Sequence, residues 1–488
     1  MKLISHGING KIISVIYNMY KGAKSCVKQN TKLSSLFECS IGVRQGENLS
    51  PLLFAIFLND FEYFLSRNYK GLDMCAKEIN DKLSDDDIEI FLRLYVLLYA
   101  DDTIVLAEDE IELQKALSSV KEYCETWKLN INVAKTKVVI FSRGKLRNFP
   151  VFKYGDDKVE VTDEYIYLGI NFSCNGRMEK AIKKQVTQAR RALFSMMTKS
   201  KRLDLPIDIQ CNLFDELVVP VLLYGCEIWG HSNLDHVEMF HRKFLKSLLH
   251  VNRRTANCMV YGELGRKTLK IKIFKRMIGF WLKILLSKES KLSNILYRLT
   301  RVLHDSENEN EMKSAWLTKI KSILDNCGLS NVWVRPEQFD SEWILKSVEQ
   351  RLSDIELQEW YGEVERNSLC TNYKLFKTEF KQESYLTKVD IGERIALTRY
   401  RCGSHRLPVA KERYLPLTDP HICPLCDKCI SGDEFHYALV CTAVQEERTK
   451  FLKGYFCRNP SVLKFRQLFD MQGPRSLIKL GKFVKHLM

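Results

Sequence analysis

Apolar and polar positions change period several times along this 488-residue chain, and each change marks an element. Near the start, Ile12, Ile13, Ile16, Tyr17 and Tyr20 keep helical spacing over residues 3–20, with Gly7 and Gly10 interrupting the front. Residues 23–41 read as two short strands around Gln29-Asn30-Thr31-Lys32. Ser50-Pro51 predicts a helix start, because serine can cap and proline suits the first turn. Leu53, Ile56, Phe57, Asn59 and Phe64 continue that helix with one apolar face. Residues 66–90 are a polar insert ending in Ser84-Asp85-Asp86-Asp87, like charges that mark solvated coil. Two apolar runs follow, 91–98 and 103–107, with only Tyr99-Ala100-Asp101-Asp102 between them. That pattern predicts a buried β-hairpin with two adjacent carboxylates at its turn.

Further on, Leu113, Leu117, Val120, Cys124 and Trp127 form one stripe, predicting an amphipathic helix over 109–128. A strand is expected at 137–142, and a strand with a tight turn at Tyr167-Leu168-Gly169-Ile170. Arg177, Lys180, Lys183, Lys184, Arg190, Arg191, Lys199, Lys201 and Arg202 then crowd a segment opposed only by Glu179. Ile182, Val186, Ala189, Leu193 and Met197 keep helical spacing within it, so the cations take the opposite face. Two more helices are expected over 206–250, the second started or kinked by Pro220. From 251 to 400 the pattern stays helical and basic, with a polar boundary at 305–311. Trp316, Trp333, Trp343 and Trp360 are expected in the core of that region.

Composition narrows the partners. The net charge of +15 favours a polyanion, through phosphate neutralisation and counterion release. No run reaches the length of a membrane span, and the first residues lack a signal-peptide core, so an intracellular protein is expected, nuclear or cytoplasmic and not secreted. Sixteen cysteines scattered through so long a chain read as mostly reduced and buried. The Asp101-Asp102 pair has an ordinary explanation as a solvated turn. Its chemical explanation is a hard divalent cation, which neutralises adjacent carboxylates that are costly to bury.

Order along the chain separates the two. Gly42-Val43-Arg44-Gln45-Gly46 with Leu49-Ser50-Pro51-Leu52-Leu53-Phe54 stands upstream of Tyr99-Ala100-Asp101-Asp102. Asn132, Lys135-Thr136-Lys137, Phe141 and then Tyr167-Leu168-Gly169 follow it. This set resembles motifs B, C, D and E of the reverse transcriptase of LINE-type non-LTR retrotransposons, from roughly Ile8 to beyond Trp229. The resemblance implies an α+β fold: a right-hand polymerase palm, an antiparallel sheet with helices, and a helical thumb. It implies RNA-directed DNA polymerisation, in which a primer 3′-hydroxyl attacks a deoxynucleotide α-phosphate with two Mg²⁺ or Mn²⁺ ions present. By the same resemblance Asp101 and Asp102 hold the metal, and Arg44, Gln45, Gly46 and Tyr99 contact nucleotide or template. Lys135, ahead of Lys137, is the general acid for pyrophosphate, and Tyr167, Leu168 and Gly169 grip the primer. The expected partners are RNA template, DNA primer or target, and dNTP, with no membrane.

No Asp precedes Asp60, which the sequence places at the tail of the motif B helix. The resemblance therefore implies a chain that lacks the fingers, the motif A aspartate and any amino-terminal endonuclease. One missing carboxylate of three would impair catalysis, and the alternative is a non-catalytic nucleic-acid-binding remnant.

At the other end, Cys423-Pro424-Leu425-Cys426, His436 and Cys441 follow a C-x₂-C-x₉-H-x₄-C spacing, which can supply three thiolates and an imidazole to structural Zn²⁺. Cys429 competes as a ligand, and a third reading of the chain is a zinc-stabilised protein-interaction module with no salt-dependent nucleic-acid affinity. The spacing is similar to the carboxy-terminal zinc knuckle of LINE-type proteins, preceded here by the basic-aromatic stretch 397–408. The expected layout is a partial palm over 1–172, thumb helices over 173–250, and a helical region over 251–395. A basic segment with the knuckle occupies 396–488.

Overall fold

In the computed structural model, residues 2–39, 42–44, 46–73, 93–142, 144, 149–305, 313–411, 422–427 and 430–487 are described. The Asp85-Asp86-Asp87 run, Gln45 and Cys429 lie outside them. The chain divides into two units, Met1–Tyr165 with Ser173–Asn175, and Ile166–Phe172 with Gly176–Met488.

The first unit is built on the Glu110–Trp127 helix, started by Asp109, whose carboxylate accepts the Glu112 amide. The expected stripe is there, and Ala116 and Tyr123 are buried beside Leu117, Val120 and Cys124. Leu58, Phe61, Leu65, Tyr69 and Val96 complete that core, and Val138, Phe152 and Val159 pack in a second cluster with Leu117. The front helix is split as expected, into Lys2–Ser5 and Gly10–Tyr20. Among the described residues of 23–41 there are four two-residue strands rather than two longer ones. Gln29 pairs with Lys32 across the expected turn, where Asn30 takes φ +54°.

The motif B segment differs from expectation in two ways. Ser50 does not cap the helix: it is the first helical residue, and its hydroxyl donates to the Arg44 carbonyl at 2.6 Å. The single helix is also two, Ser50–Leu58 and Phe61–Ser66, broken at Asn59-Asp60. Long-range contacts fix that break. Asp60 accepts from the Lys2 ammonium and the Tyr123 hydroxyl, each at 2.6 Å, and Lys2 lies 3.7 Å from the Trp127 ring centroid. Burial alone would raise the Asp60 carboxyl, but the Lys2 and Tyr123 hydrogen bonds outweigh it and lower its pKa. The strand expected over 137–142 is only Lys137–Val138, parallel to Glu160-Val161.

The second unit is helical. Its first helix, Glu179–Arg202, buries Ile182, Val186 and Ala189 as the spacing requires. Residues 206–250 carry more breaks than two helices: Ile207–Leu213, a π-helical turn Phe214–Val218, Val219–Leu222, Cys226–Trp229 and Asp235–Leu248. Pro220 sits at the start of the third, where its missing N–H costs nothing. Trp333 and Trp360 are buried and Trp316 is partly so, but Trp343 is 46% exposed and stacks on Phe339. None of the described cysteines forms a disulfide. No described helix is long and apolar enough to cross a membrane.

Deep in this unit the Arg401 guanidinium binds both Glu263 oxygens, Nε at 2.9 Å and Nη2 at 3.0 Å, and donates to the Phe469 carbonyl at 3.0 Å. Glu383 lies 3.2 Å away on the same guanidinium and is paired with the buried Lys377. Burial would raise the Glu263 carboxyl, and Arg401, Lys377 and the Tyr385 hydroxyl reverse that shift. Arg401→Leu leaves these acids buried without their main cation. We expect a loss of about 3–5 kcal/mol, checked by urea unfolding followed through tryptophan fluorescence.

Candidate active site and metal centre

The expected hairpin forms, but its turn end is exposed rather than buried. Val96–Tyr99 pairs antiparallel with Asp102–Val105, and Tyr99↔Asp102 is the last pair. Ala100 and Asp101 are therefore the two turn residues, and Ala100 takes φ +53°, a left-handed conformation uncommon outside glycine. The strands are half-buried at the far end, while Tyr99, Asp101 and Asp102 are exposed at the turn. Asp101 in the turn and Asp102 at the start of the second strand are consecutive exposed acids on a short, well-paired support, and carboxylate oxygens suit a hard divalent cation. Among the described residues no third carboxylate, histidine or cysteine gathers with them.

The other expected residues of this unit are placed as follows. Arg44 donates to Glu47 at 2.8 Å and to the Met19 carbonyl at 2.9 Å, and Gly46 takes φ +90° with open space where a Cβ would stand. Lys137 is paired with Glu160, whereas Lys135 is exposed in the turn that Asn132 closes by accepting its amide.

Tyr167-Leu168-Gly169 belongs to the second unit, as the turn between strands Glu164–Tyr167 and Ile170–Ser173. Leu168 and Gly169 take φ +47° and +81°. Two side chains missed in the sequence hold the turn: the Tyr224 hydroxyl donates to the Leu168 carbonyl at 2.9 Å, and the Gln185 amide to the Gly169 carbonyl at 3.2 Å. A Cβ on Gly169 would meet the Tyr224 ring at 3.0 Å. Neither partner carries a motif, so no local signal could have found them.

The same unit gathers Cys423, Cys426, His436 and Cys441, whose ligand atoms all lie within 4.8 Å of one another. Cys423 and Cys441 sulfurs are 3.9 Å apart, and Cys426 sulfur is 3.4 Å from His436 Nε2. Tetrahedral zinc with Zn–S of about 2.3 Å and Zn–N of about 2.0–2.1 Å gives edges of about 3.8 and 3.6 Å, so this set fits zinc. His436 and Cys441 are positioned by a π-helical turn, His436–Val440. Asp433 accepts the His436 amide at 2.8 Å, and Cys423 lies 3.2 Å from the Tyr437 hydroxyl. Burial would raise the Cys423 thiol, but Tyr437, the Leu425 amide and the neighbouring thiols bring it below its ordinary value. Burial pushes Cys441 up to about 11.

Comparison with known proteins decides the first unit. Residues 2–172 match the family model described as reverse transcriptase (RNA-dependent DNA polymerase). That match marks a reverse transcriptase domain in this stretch. The chain is 22% identical over 250 residues to the RNA-directed DNA polymerase from mobile element jockey of Drosophila funebris, which covers 49% of this chain and 25% of that protein. It is 31% identical over 140 residues to a putative uncharacterized transposon-derived protein of Caenorhabditis elegans, 27% of this chain and 48% of that protein. A type-2 retrotransposable element Pol polyprotein of Drosophila melanogaster is 25% identical over 184 residues, 36% of this chain and 16% of that protein. The chain therefore spans from a quarter to about half the length of the first two relatives. Together these similarities identify a reverse transcriptase domain of the non-LTR retrotransposon type, a family that uses divalent metal.

Ala100→Gly removes the left-handed strain at the reverse transcriptase turn. It should stabilise the first unit by up to about 1 kcal/mol, read as a raised thermal midpoint.

Proposed function

We propose that this chain acts as an RNA-directed DNA polymerase of a non-LTR retrotransposon, extending a primer 3′-hydroxyl with dNTP on an RNA template. The observation that carries the proposal is the turn at residues 99–102 within the matched domain, with both carboxylates exposed at the end of a paired hairpin. Asp101 and Asp102 would hold Mg²⁺ or Mn²⁺, which when bound supplies charge to activate the hydroxyl and stabilise departing pyrophosphate. Tyr99 lies exposed next to them, where a nucleotide sugar or base can rest. Gly46, with its open side, lets template or nucleotide approach the backbone, flanked by Arg44 and by Gln45 in sequence. Lys135, exposed where Lys137 is already paired, is the better proton donor to pyrophosphate.

In the second unit the basic face of Glu179–Arg202 suits a phosphate backbone, and the Tyr167-Leu168-Gly169 turn, clamped by Tyr224 and Gln185, suits a primer strand. Cys423, Cys426, His436 and Cys441 would hold a structural Zn²⁺ that fixes the carboxy-terminal fold around the nucleic acid.

Mg²⁺-dependent primer extension on an RNA template should be detectable but weak with the purified chain, since no third described carboxylate joins Asp101 and Asp102, and should fall on the order of 100-fold or more again in Asp101→Ala/Asp102→Ala. Folded protein that binds primer-template but never extends it would leave the chain a nucleic-acid-binding remnant. Zinc has its own test. Elemental analysis should find about one zinc per chain, and removal by a chelator should lower the thermal midpoint of the second unit. Cys423→Ser should abolish both effects.

A further inference from the structure

Among the described residues, no carboxylate pairs with the buried Arg448 guanidinium. Its side chain is among the largest fully buried in the chain, at 1% exposure. The guanidinium donates to the carbonyls of Ala438 at 2.9 Å, Tyr437 at 3.3 Å and Cys441 at 2.8 Å, and to the Gln445 amide oxygen at 2.6 Å. All four acceptors are neutral. Hydrogen bonds of this kind satisfy N–H donors but leave a full positive charge in a low-dielectric interior, which is expensive without an opposite charge. Another deeply buried arginine of this unit, Arg401, is set against Glu263 and Glu383 instead.

The carbonyls that hold Arg448 belong to the turn that delivers His436 and Cys441 to the ligand cluster. A zinc ion bound by three thiolates and one neutral imidazole carries a net charge of −1. We propose that Arg448 is the buried counter-ion of that centre, a positioning residue that favours a three-thiolate ligand set by balancing its charge. This rests on the zinc reading given above. It accounts for a guanidinium packed among carbonyls directly behind the ligands. It also ties the arginine's burial to the metal, since each would leave an uncompensated charge without the other.

The test is zinc affinity of the full chain, measured by competition with a chromophoric chelator, with circular dichroism as the check on folding. Arg448→Gln keeps hydrogen-bonding capacity and removes the charge, and should weaken zinc binding about 10-fold or more. Arg448→Lys keeps the charge and loses the planar fork, and should stay closer to the parent. Cys426→His converts the centre to two thiolates and two imidazoles, neutral overall. In that background Arg448→Gln should leave zinc affinity nearly unchanged, because two departing thiol protons and one arriving zinc cancel and the charge of the centre does not change on binding.

A parent chain that binds no zinc would overturn the zinc reading itself. Zinc bound by the parent but unaffected by Arg448→Gln would overturn the counter-ion alone. So would equal losses in the Lys and Gln variants, or the same loss in both ligand backgrounds, since these mark a purely hydrogen-bonding role. If Arg448→Gln fails to fold alone yet folds with Cys426→His, the charge balance is supported; failure in both backgrounds, with zinc-loaded parent as reference, counts against it.

Discussion

The second unit depends on one buried ion pair. Arg401 reaches from the Ile391–Arg401 helix to Glu263 on the Asn257–Leu264 helix, and its free nitrogen binds the Phe469 carbonyl at the end of Val462–Phe469. Three segments separated by up to about two hundred residues of chain meet on one guanidinium. Such a pair contributes little net stability compared with a well-packed apolar cluster, because both charges are desolvated. It does penalise every arrangement that separates the two charges, so it selects one packing of the helices over others. Lys377, Glu383 and Tyr385 complete the group, leaving each buried carboxylate answered by a cation.

The first unit uses the same device near its surface. Lys2, Asp60, Tyr123 and Trp127 tie the first helix, the break after the motif B helix and the long Glu110–Trp127 helix together. With Asp60 spent on Lys2 and Tyr123, it serves as a structural group. The hairpin carboxylates differ because nothing described neutralises them: Asp101 and Asp102 are exposed at the turn, where the chain has kept charge at the tip of an apolar pair of strands. The contrast separates an acid that holds the fold from a pair available to a ligand.

At the carboxy-terminal centre the ligands are brought together by a knuckle turn and a π-helical turn. A π turn widens the helix by one residue, which sets the side chain of His436 and the following Cys441 toward the same point. Arg448 braces that turn from behind, donating to the Ala438 and Cys441 carbonyls.

Much of this was legible locally. The hairpin and its turn, the Cys423-to-Cys441 set, the stripe on Glu110–Trp127 and the basic face of Glu179–Arg202 all follow from spacing within a few turns or strands. Spacing is local information, and periods of two and 3.6 residues are set by backbone geometry alone. What sequence could not supply were the partners that arrive from far along the chain. The break at Asn59-Asp60 answers to Lys2 and Tyr123, the Tyr167-Leu168-Gly169 turn is held by Gln185 and Tyr224, and Arg401 finds Glu263 across 138 residues. Trp343 carried the same apolar signature as Trp333, yet one is exposed and the other buried. Whether an apolar or charged side chain is covered depends on which distant surface packs over it, and only the tertiary structure decides that.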